Sequence, residues 1–123
     1  MVDVLEGRRE IQDILIESET GISIISGGNG LDEILALNND NTNNIIRAFA
    51  ALEDQFDVMI VDISAGANQS VLNFLSACHY QIVIGTNEPS SVADAYALIK
   101  LIHLTMGISE IIFVPNKVKT AQA

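Results

Sequence analysis

Cysteine, tryptophan and basic side chains are scarce in this sequence of 123 residues. It contains one cysteine, Cys78, and no tryptophan. A single cysteine excludes an internal disulfide and argues against a metal site built from thiolates. Only six lysines and arginines stand against sixteen acidic residues, which gives a formal net charge of −10. Because no basic stripe is present to neutralise a phosphate backbone, nucleic acid is not an expected partner.

Long apolar runs are also absent. No run approaches the ~18 residues that a membrane-spanning helix needs, and the amino terminus lacks the basic-then-apolar layout of a signal peptide. We therefore expect a cytoplasmic protein. Hydrophobic residues nevertheless make up 49% of the chain, and the mean hydropathy is +0.34. This composition excludes a disordered acidic tail, and the length predicts a single domain.

Four short β-branched runs predict strands, at residues 21–25, 57–62, 81–85 and 110–114. Their apolar residues follow one another without polar alternation, which suits strands buried on both faces of a parallel sheet. Segments of helical periodicity separate these runs, so the sequence predicts a three-layer α/β/α sandwich with a mainly parallel sheet and helices on both faces. The Asn-rich residues 38–44 predict a loop. The predicted helix boundaries are a start after Gly30, an N-cap at Thr42 or Asn43, an N-cap at Asn68, a start at Ser90 or Ser91, and an end at Gly107.

Candidate site residues follow the predicted strands, because ligands collect at the carboxyl ends of parallel strands. The glycine cluster at residues 26–30 invites a phosphate-loop interpretation. However, the chain has no Gly-Lys dipeptide, and Glu33 stands where a GxGxxG motif needs its third glycine. A tight turn between a strand and a helix is therefore the favoured interpretation.

Two further patterns have both a structural and a functional interpretation. Asp62 and Gly66 form a DxxxG spacing, in which a carboxylate meets magnesium or its water and the glycine lets a loop move. A strand-end aspartate can equally cap a helix or accept from backbone amides, and the spacing alone does not decide between these roles. Asn116 could read a base edge with its amide while Lys117 lies along the base, although an isolated Asn-Lys pair is more typical of a turn.

Three stretches, residues 56–66, 85–100 and 114–118, together resemble the MinD/ParA family of deviant-Walker P-loop ATPases in the order and spacing of its motifs. The resemblance is strongest to the flagellar-number regulator branch (FlhG/FleN), which residues 3–7 and 21–30 also resemble. It implies a P-loop NTPase-like fold, with residues 1–123 forming a single incomplete MinD-like ATPase domain. It also implies roles for three residues in binding and hydrolysing ATP with Mg²⁺. Asp62 would be the catalytic switch aspartate that contacts the metal through water, Gly66 the pivot of that switch, and Asn116 the adenine-recognising residue.

The same resemblance implies an ATP-dependent switch of dimerisation and membrane association that regulates flagellar number or placement. The intact protein would form a homodimer in its ATP-bound state and lie peripherally at the inner membrane. A signal-recognition-type GTPase and flagellar assembly proteins would be its partners. The family's lysine-bearing phosphate loop would lie upstream of Met1 and its membrane helix beyond Ala123. We therefore expect a fragment that makes no membrane contact and, lacking a phosphate cradle, hydrolyses no ATP by itself.

Two alternatives stay open. In the first, the chain is a nucleotide-independent binding module on the same fold, and Asp62 is vestigial. In the second, it is a phosphoacceptor receiver domain, because Asp62, Thr86 and Lys117 mimic the residues of such a site. A receiver needs an acidic pair after its first strand to hold magnesium. Asp13 and Glu17 lie instead in a segment of helical periodicity, which makes the receiver the less favoured alternative.

Overall fold

The computed structural model describes residues 1–28, 30–64 and 66–119. The chain forms two compact units, the first comprising residues 1–64 and the second residues 65–123. The first unit holds thirteen of the sixteen acidic side chains and three of the six basic ones, whereas the second holds three of each. The entire formal charge of −10 is therefore carried by the first unit.

Helices α1 (Val2–Leu5) and α2 (Leu31–Leu37) pack against α3 (Asn39–Ala50) to form the core of the first unit. Leu35, Ile45 and Leu52 are buried there, together with the hydroxyl-bearing Thr42. Short 3₁₀ turns at Ile11–Ile14 and Glu53–Gln55 connect the elements. The elements are α1 (Val2–Leu5), β1 (Ile16–Glu17), β2 (Ser23–Ile24), α2 (Leu31–Leu37) and α3 (Asn39–Ala50).

The strand predicted at residues 21–25 is present only as β2, and it does not lie in a parallel sheet. It pairs antiparallel with β1, with Ile16 opposite Ile24. The turn between them is closed by Ser18, whose N–H donates to the Ile22 carbonyl at 2.8 Å and whose hydroxyl accepts from the Ile22 N–H at 3.2 Å. This local turn supplies β2 with a neighbouring partner, so the predicted parallel placement of this run is wrong.

The strand predicted at residues 57–62 is absent, and that prediction is wrong as well. Three apolar side chains of this run, Val58, Met59 and Ile60, face solvent, with Val58 77% and Ile60 89% exposed. A strand requires a hydrogen-bonded neighbour, and among the described residues of the first unit only β1 and β2 are paired. The β propensity of the run is therefore not realised.

The Asn-rich residues 38–44 form the beginning of α3 and not the predicted loop. Asn38 caps this helix, because its Oδ1 accepts from the Asp40 N–H at 2.9 Å. The side chain of Asn41 donates to the Ile34 carbonyl at 3.1 Å and so ties α3 to the end of α2. The predicted caps at Thr42 and Asn43 are wrong, since both residues lie inside the helix.

The second unit consists of α4 (Gln69–Ala77), β3 (Ile82–Gly85), α5 (Pro89–Met106) and β4 (Ile112–Pro115). Strands β3 and β4 are parallel, with Gly85 opposite Pro115, which confirms the two strands predicted here. Two predicted caps are confirmed too: Asn68 Oδ1 accepts from the Val71 N–H at 3.0 Å, and Gly107 ends α5 with φ 68°. Helix α5 starts at Pro89, slightly before the predicted serines.

One face of the β3–β4 pair packs beneath α5. Val83 is buried on this face, and a Cβ placed at Gly85 would lie 3.7 Å from the Ala95 Cβ of α5. On the opposite face Ile82 and Ile84 are exposed. The structure is therefore α/β with a small parallel sheet, as predicted, whereas the described residues do not form the full three-layer sandwich.

Gln81 joins α4 to the start of β3. Its buried side chain donates to the carbonyls of Leu75 and Cys78, each at 2.9 Å. Leu75 lies in the last turn of α4 and Cys78 is its C-cap, so the Gln81 side chain adds acceptor partners at a helix end, where carbonyls lack the regular intrahelical bond. In the part of the chain that the structure describes, no helix is long and apolar enough to cross a bilayer.

Truncation of the buried Ile102 should destabilise the protein. Ile102, on the buried side of α5, is 0% exposed, whereas Leu104 on the same helix is 70% exposed. We expect Ile102→Ala to lower the free energy of unfolding by about 2–5 kcal/mol, because it opens a cavity in the core. Leu104→Ala should change it by less than about 0.5 kcal/mol. Urea unfolding followed by circular dichroism measures both, and equal losses would contradict the assigned packing.

The unpaired run at residues 57–62 should promote self-association. An exposed β-branched segment can pair with another chain, and a central lysine opposes this. We expect Ile60→Lys to reduce concentration-dependent light scattering. Asn44→Lys, which makes the same charge change at an exposed position of α3, should leave the scattering unchanged. Equal effects of the two variants would point to net charge as the cause.

Candidate functional site

A pocket of about 520 Å³ lies in the first unit, beside the glycine-rich loop that follows β2. It brings this loop and Asp62 together, two features that the sequence places after separate predicted strands. Asp62 therefore lies at the pocket although the strand expected before it is absent. The lining consists of Gly27, Gly28, Gly30, Leu31, Asp32, Glu33, Asp62, Ile63 and Ser64.

The glycines of this loop allow a tight connection between β2 and α2. Gly28 and Gly30 have φ values of 76° and 79°, in the left-handed region that favours glycine. A Cβ at Gly27 would lie 2.9 Å from Leu31 Cδ2, so a side chain there would require the end of the Leu31 side chain to move. The loop thus has the geometry of the predicted turn.

Acidic side chains dominate the electrostatics of the pocket. Asp32, Glu33 and Asp62 contribute three carboxylates to the lining, and all three residues are exposed. No lysine or arginine lines the pocket, so its charge opposes a bare phosphate group. Sequence reasoning missed Asp32 and Glu33. Their position in the first turn of a helix that follows a glycine loop was the available signal.

The Asp62 carboxylate can supply oxygen atoms as one ligand of a magnesium ion. Magnesium prefers oxygen donors and is commonly bound through one or two carboxylates, with water and substrate phosphates completing the shell. Across residues 1–28, 30–64 and 66–119, no group of three or more His, Cys, Asp or Glu side chains is arranged to hold a metal. The carboxylate fits a water-mediated contact to a metal that is carried mainly by a nucleotide.

Gly66 lies at the start of the second unit, where its backbone requires glycine. Its φ is 118°, and a Cβ built on it would have no neighbour within 4 Å. The conformation, and not a lack of space, therefore selects glycine at this position.

Asn116 follows β4, at the carboxyl end of the parallel strand pair. Its N–H donates to the Gly85 carbonyl at 2.7 Å, and its side-chain oxygen accepts from the Lys117 N–H at 2.9 Å. The neighbouring turn after β3 is closed by Ser91, whose hydroxyl accepts from the Thr86 N–H at 2.9 Å. The exposed amide of Asn116 thus stands at an edge where ligands of parallel sheets collect.

Asp62 belongs to the first unit, whereas Gly66 and Asn116 belong to the second, and the structure describes each residue within its own unit. Asp13, one of the acidic residues considered for a receiver domain, accepts from the Glu10 N–H at 3.1 Å and caps a 3₁₀ turn.

Burial raises the pKa of the Cys78 thiol. This thiol therefore stays protonated at neutral pH and is a poor nucleophile.

Comparison with known proteins shows several relatives, although no protein-family model matches the chain. Antiactivator FleN of Pseudomonas aeruginosa is 33% identical over 99% of this chain and 44% of its own length. Flagellum site-determining protein YlxH of Helicobacter pylori is 27% identical over 82% of the chain and 34% of its own length. Septum site-determining protein MinD of Bacillus subtilis is 26% identical over 97% of the chain and 44% of its own length.

The chain thus spans less than half of the length of these relatives. The FleN and MinD matches cover nearly all of it, including the stretches that carry Asp62, Gly66 and Asn116. These relatives and the order of the motifs support a MinD/ParA-type family for this chain, which corresponds to part of the length of its relatives.

Proposed function

We propose that this chain is part of a MinD-like, ATP-dependent switch that regulates the number or placement of flagella. The observation that carries the proposal is the 33% identity to FleN over 99% of the chain. The similarity to YlxH, a flagellum site-determining protein, supports a role in this process. In this proposal both compact units belong to one incomplete ATPase domain.

Each candidate residue has a separate task in the proposed function. Bound Mg²⁺ would neutralise charge on the phosphates of ATP. Asp62 would hold the metal through a water molecule, and its exposed carboxylate is free of ion pairs among the described residues. Gly66 would let the loop after Asp62 change conformation, and Asn116 would recognise adenine. The first two residues would act at the phosphates and the third at the base.

We propose that the whole protein dimerises and associates with the inner membrane in its ATP-bound state, and that hydrolysis reverses both. Flagellar assembly proteins and a signal-recognition-type GTPase are its proposed partners. Residues 1–123 contain no Gly-Lys dipeptide, and three carboxylates line the pocket at the glycine loop. These two observations also favour the second candidate, a binding module that works without nucleotide.

The chain of 123 residues should not bind ATP at micromolar concentration. Charge-assisted hydrogen bonds from a phosphate loop contribute roughly 1.5–3 kcal/mol each. Without three of them the affinity falls by more than about a thousandfold. Isothermal titration calorimetry should therefore show no heat of ATP binding, and phosphate release should equal that of a blank. Micromolar affinity would instead locate a phosphate site within this chain, with the loop at Gly27–Gly30 as its first candidate.

Addition of a family phosphate-loop segment before Met1 should restore ATP binding and hydrolysis. In that chimera Asp62→Ala should lower the hydrolysis rate at least about a hundredfold, because a preorganised charge at the metal is lost. Asp32→Ala removes a carboxylate from the same pocket and should retain hydrolysis. If the chimera hydrolyses ATP and both of its variants do so at the same rate, Asp62 has no role in hydrolysis. A chimera that folds but binds no ATP would favour the nucleotide-independent module.

A further inference from the structure

Strand β3 has a free edge. The Asn116 N–H donates to the Gly85 carbonyl at 2.7 Å, so the backbone of Gly85 faces β4. Because the backbone groups of successive residues in a strand point to alternate sides, those of Ile82 and Ile84 point away from β4. In the part of the chain that the structure describes, β3 pairs with β4 alone. The edge at Ile82 and Ile84 can therefore accept a further strand.

The outer edge of β4 is less suited to this. By the same alternation Phe113 and Pro115 face away from β3. Proline has no backbone N–H, and within sheets it is confined to edges and similar positions. A strand that approached β4 would find no donor at Pro115, whereas β3 offers the N–H and the carbonyl of both outward-facing residues. The open edge of this sheet is therefore that of β3.

The chain also contains a strand-forming segment without a partner. Residues 58–61 are four consecutive apolar residues, equal in number to the residues of β3, and they have neither helix nor strand. Val58 is 77% and Ile60 89% exposed. Asp57 and Asp62 flank the segment, so its ends can stay hydrated when its centre is buried. The chain thus carries both a strand to donate and an edge to receive one.

Charge decides between two ways in which copies of the chain could associate. The first unit carries the formal charge of −10 and the second unit is neutral. If residues 57–62 of two copies paired with each other, two acidic units would be brought together, and their charges repel over the ~8 Å screening length of physiological salt. Pairing with β3 brings one acidic unit to a neutral unit, where residues 81–86 carry no charge. Association through β3 is therefore favoured.

We propose that residues 57–62 of one copy add as a strand to the free edge of β3 in a second copy. Side chains alternate along a strand, so Val58 and Ile60 share one face. They would join Ile82 and Ile84, which are 57% and 63% exposed on the face that α5 leaves bare. The contact is heterologous, and each copy can both donate and receive a strand, so assembly is not limited to two copies. It requires no nucleotide and does not depend on the proposed function.

Two variants, each disabled on one side of the contact, test the proposal. Ile60→Lys places a charge in the centre of the donated strand. Ile84→Pro removes an outward-facing N–H from β3, at a position where an edge strand tolerates proline. Sedimentation velocity at increasing concentration should show wild-type assemblies larger than dimers. Each variant alone should need a concentration at least about tenfold higher to associate, because apolar contact or main-chain hydrogen bonds are lost.

A mixture of these two variants is the decisive sample. The Ile60→Lys chain retains the β3 edge, and the Ile84→Pro chain retains residues 57–62. Each supplies what the other lacks, so the mixture should form one-to-one dimers at concentrations where either variant alone is monomeric. Only one intact contact is available in the mixture, so assembly should stop at the dimer.

A second pair of variants separates the edge of the sheet from its bare face. Ile84 and Val114 are paired neighbours on that face. Ile84→Glu puts a negative charge beside the incoming acidic segment and should weaken association as Ile84→Pro does. Val114→Glu makes the same charge change one strand further from the edge and should weaken it far less. Circular dichroism reports whether each variant folds, and Ile84→Glu takes the place of the proline variant if that variant does not.

Each outcome decides the proposal. Dimers that form only in the mixture support it. A folded Ile84 variant that associates like the wild type overturns it, and so does a mixture of folded variants that stays monomeric. Equal weakening by Ile84→Glu and Val114→Glu would place the contact on the face and overturn strand addition at the edge. A wild type that remains monomeric up to about 1 mM, the range of very weak complexes, also overturns it.

Discussion

The close approach of Phe113 to Gly85 is the contact on which the second unit depends. A Cβ at Gly85 would lie 3.0 Å from two ring atoms of Phe113, closer than such atoms can comfortably approach. The bare backbone allows β4 to lie beside β3 with its aromatic ring over the strand, and allows α5 to approach through Ala95. The carbonyl of Gly85 also receives the N–H of Asn116. Gly85 thus contacts the neighbouring strand, lies close to the helix and holds the backbone of a candidate site residue.

Local signals account for the parts of the fold that the sequence predicted correctly. Asn68 and Gly107 act through their own side chain or backbone within a few residues of a helix end, so their roles are readable from neighbouring positions. The runs predicted at residues 81–85 and 110–114 pair with each other as β3 and β4. The run at 57–62 is also rich in β-branched residues but has no strand partner among the described residues of its unit. β propensity is realised only when a second strand supplies the hydrogen bonds.

The Asn-rich segment shows a different limit. A string of asparagines favours turns when each residue is considered alone. Here Asn38 provides a cap, Asn41 bonds back to α2, and the amphipathic remainder of α3 packs its apolar side against the core. Tertiary packing thus outweighs the weak helix propensity of the first turn. The sequence shows that asparagines are present at these positions. It does not show that α2 lies where its Ile34 carbonyl can accept from the Asn41 side chain.

The candidate site was predictable to the extent that its residues follow apolar runs. Asp62 and the glycine loop both emerged from this rule, and they share a pocket. The rule identified Asn116 at the end of β4 as well. The acidic lining from Asp32 and Glu33 depends on the orientation of α2 relative to Asp62, which no local pattern encodes. The same holds for the Lys117 backbone, whose φ of 56° is left-handed, because nothing in the type of this residue indicates such a conformation.

The exposed run that contains Val58 and Ile60 affects how readily a protease can cleave the chain. A protease binds its substrate as an extended strand, and segments without helix or sheet offer the backbone that such an enzyme needs. Residues 58–63 have neither helix nor strand, and the first unit ends directly after them. Cleavage in this run would divide the chain close to the boundary of its two units without cutting a helix of either unit.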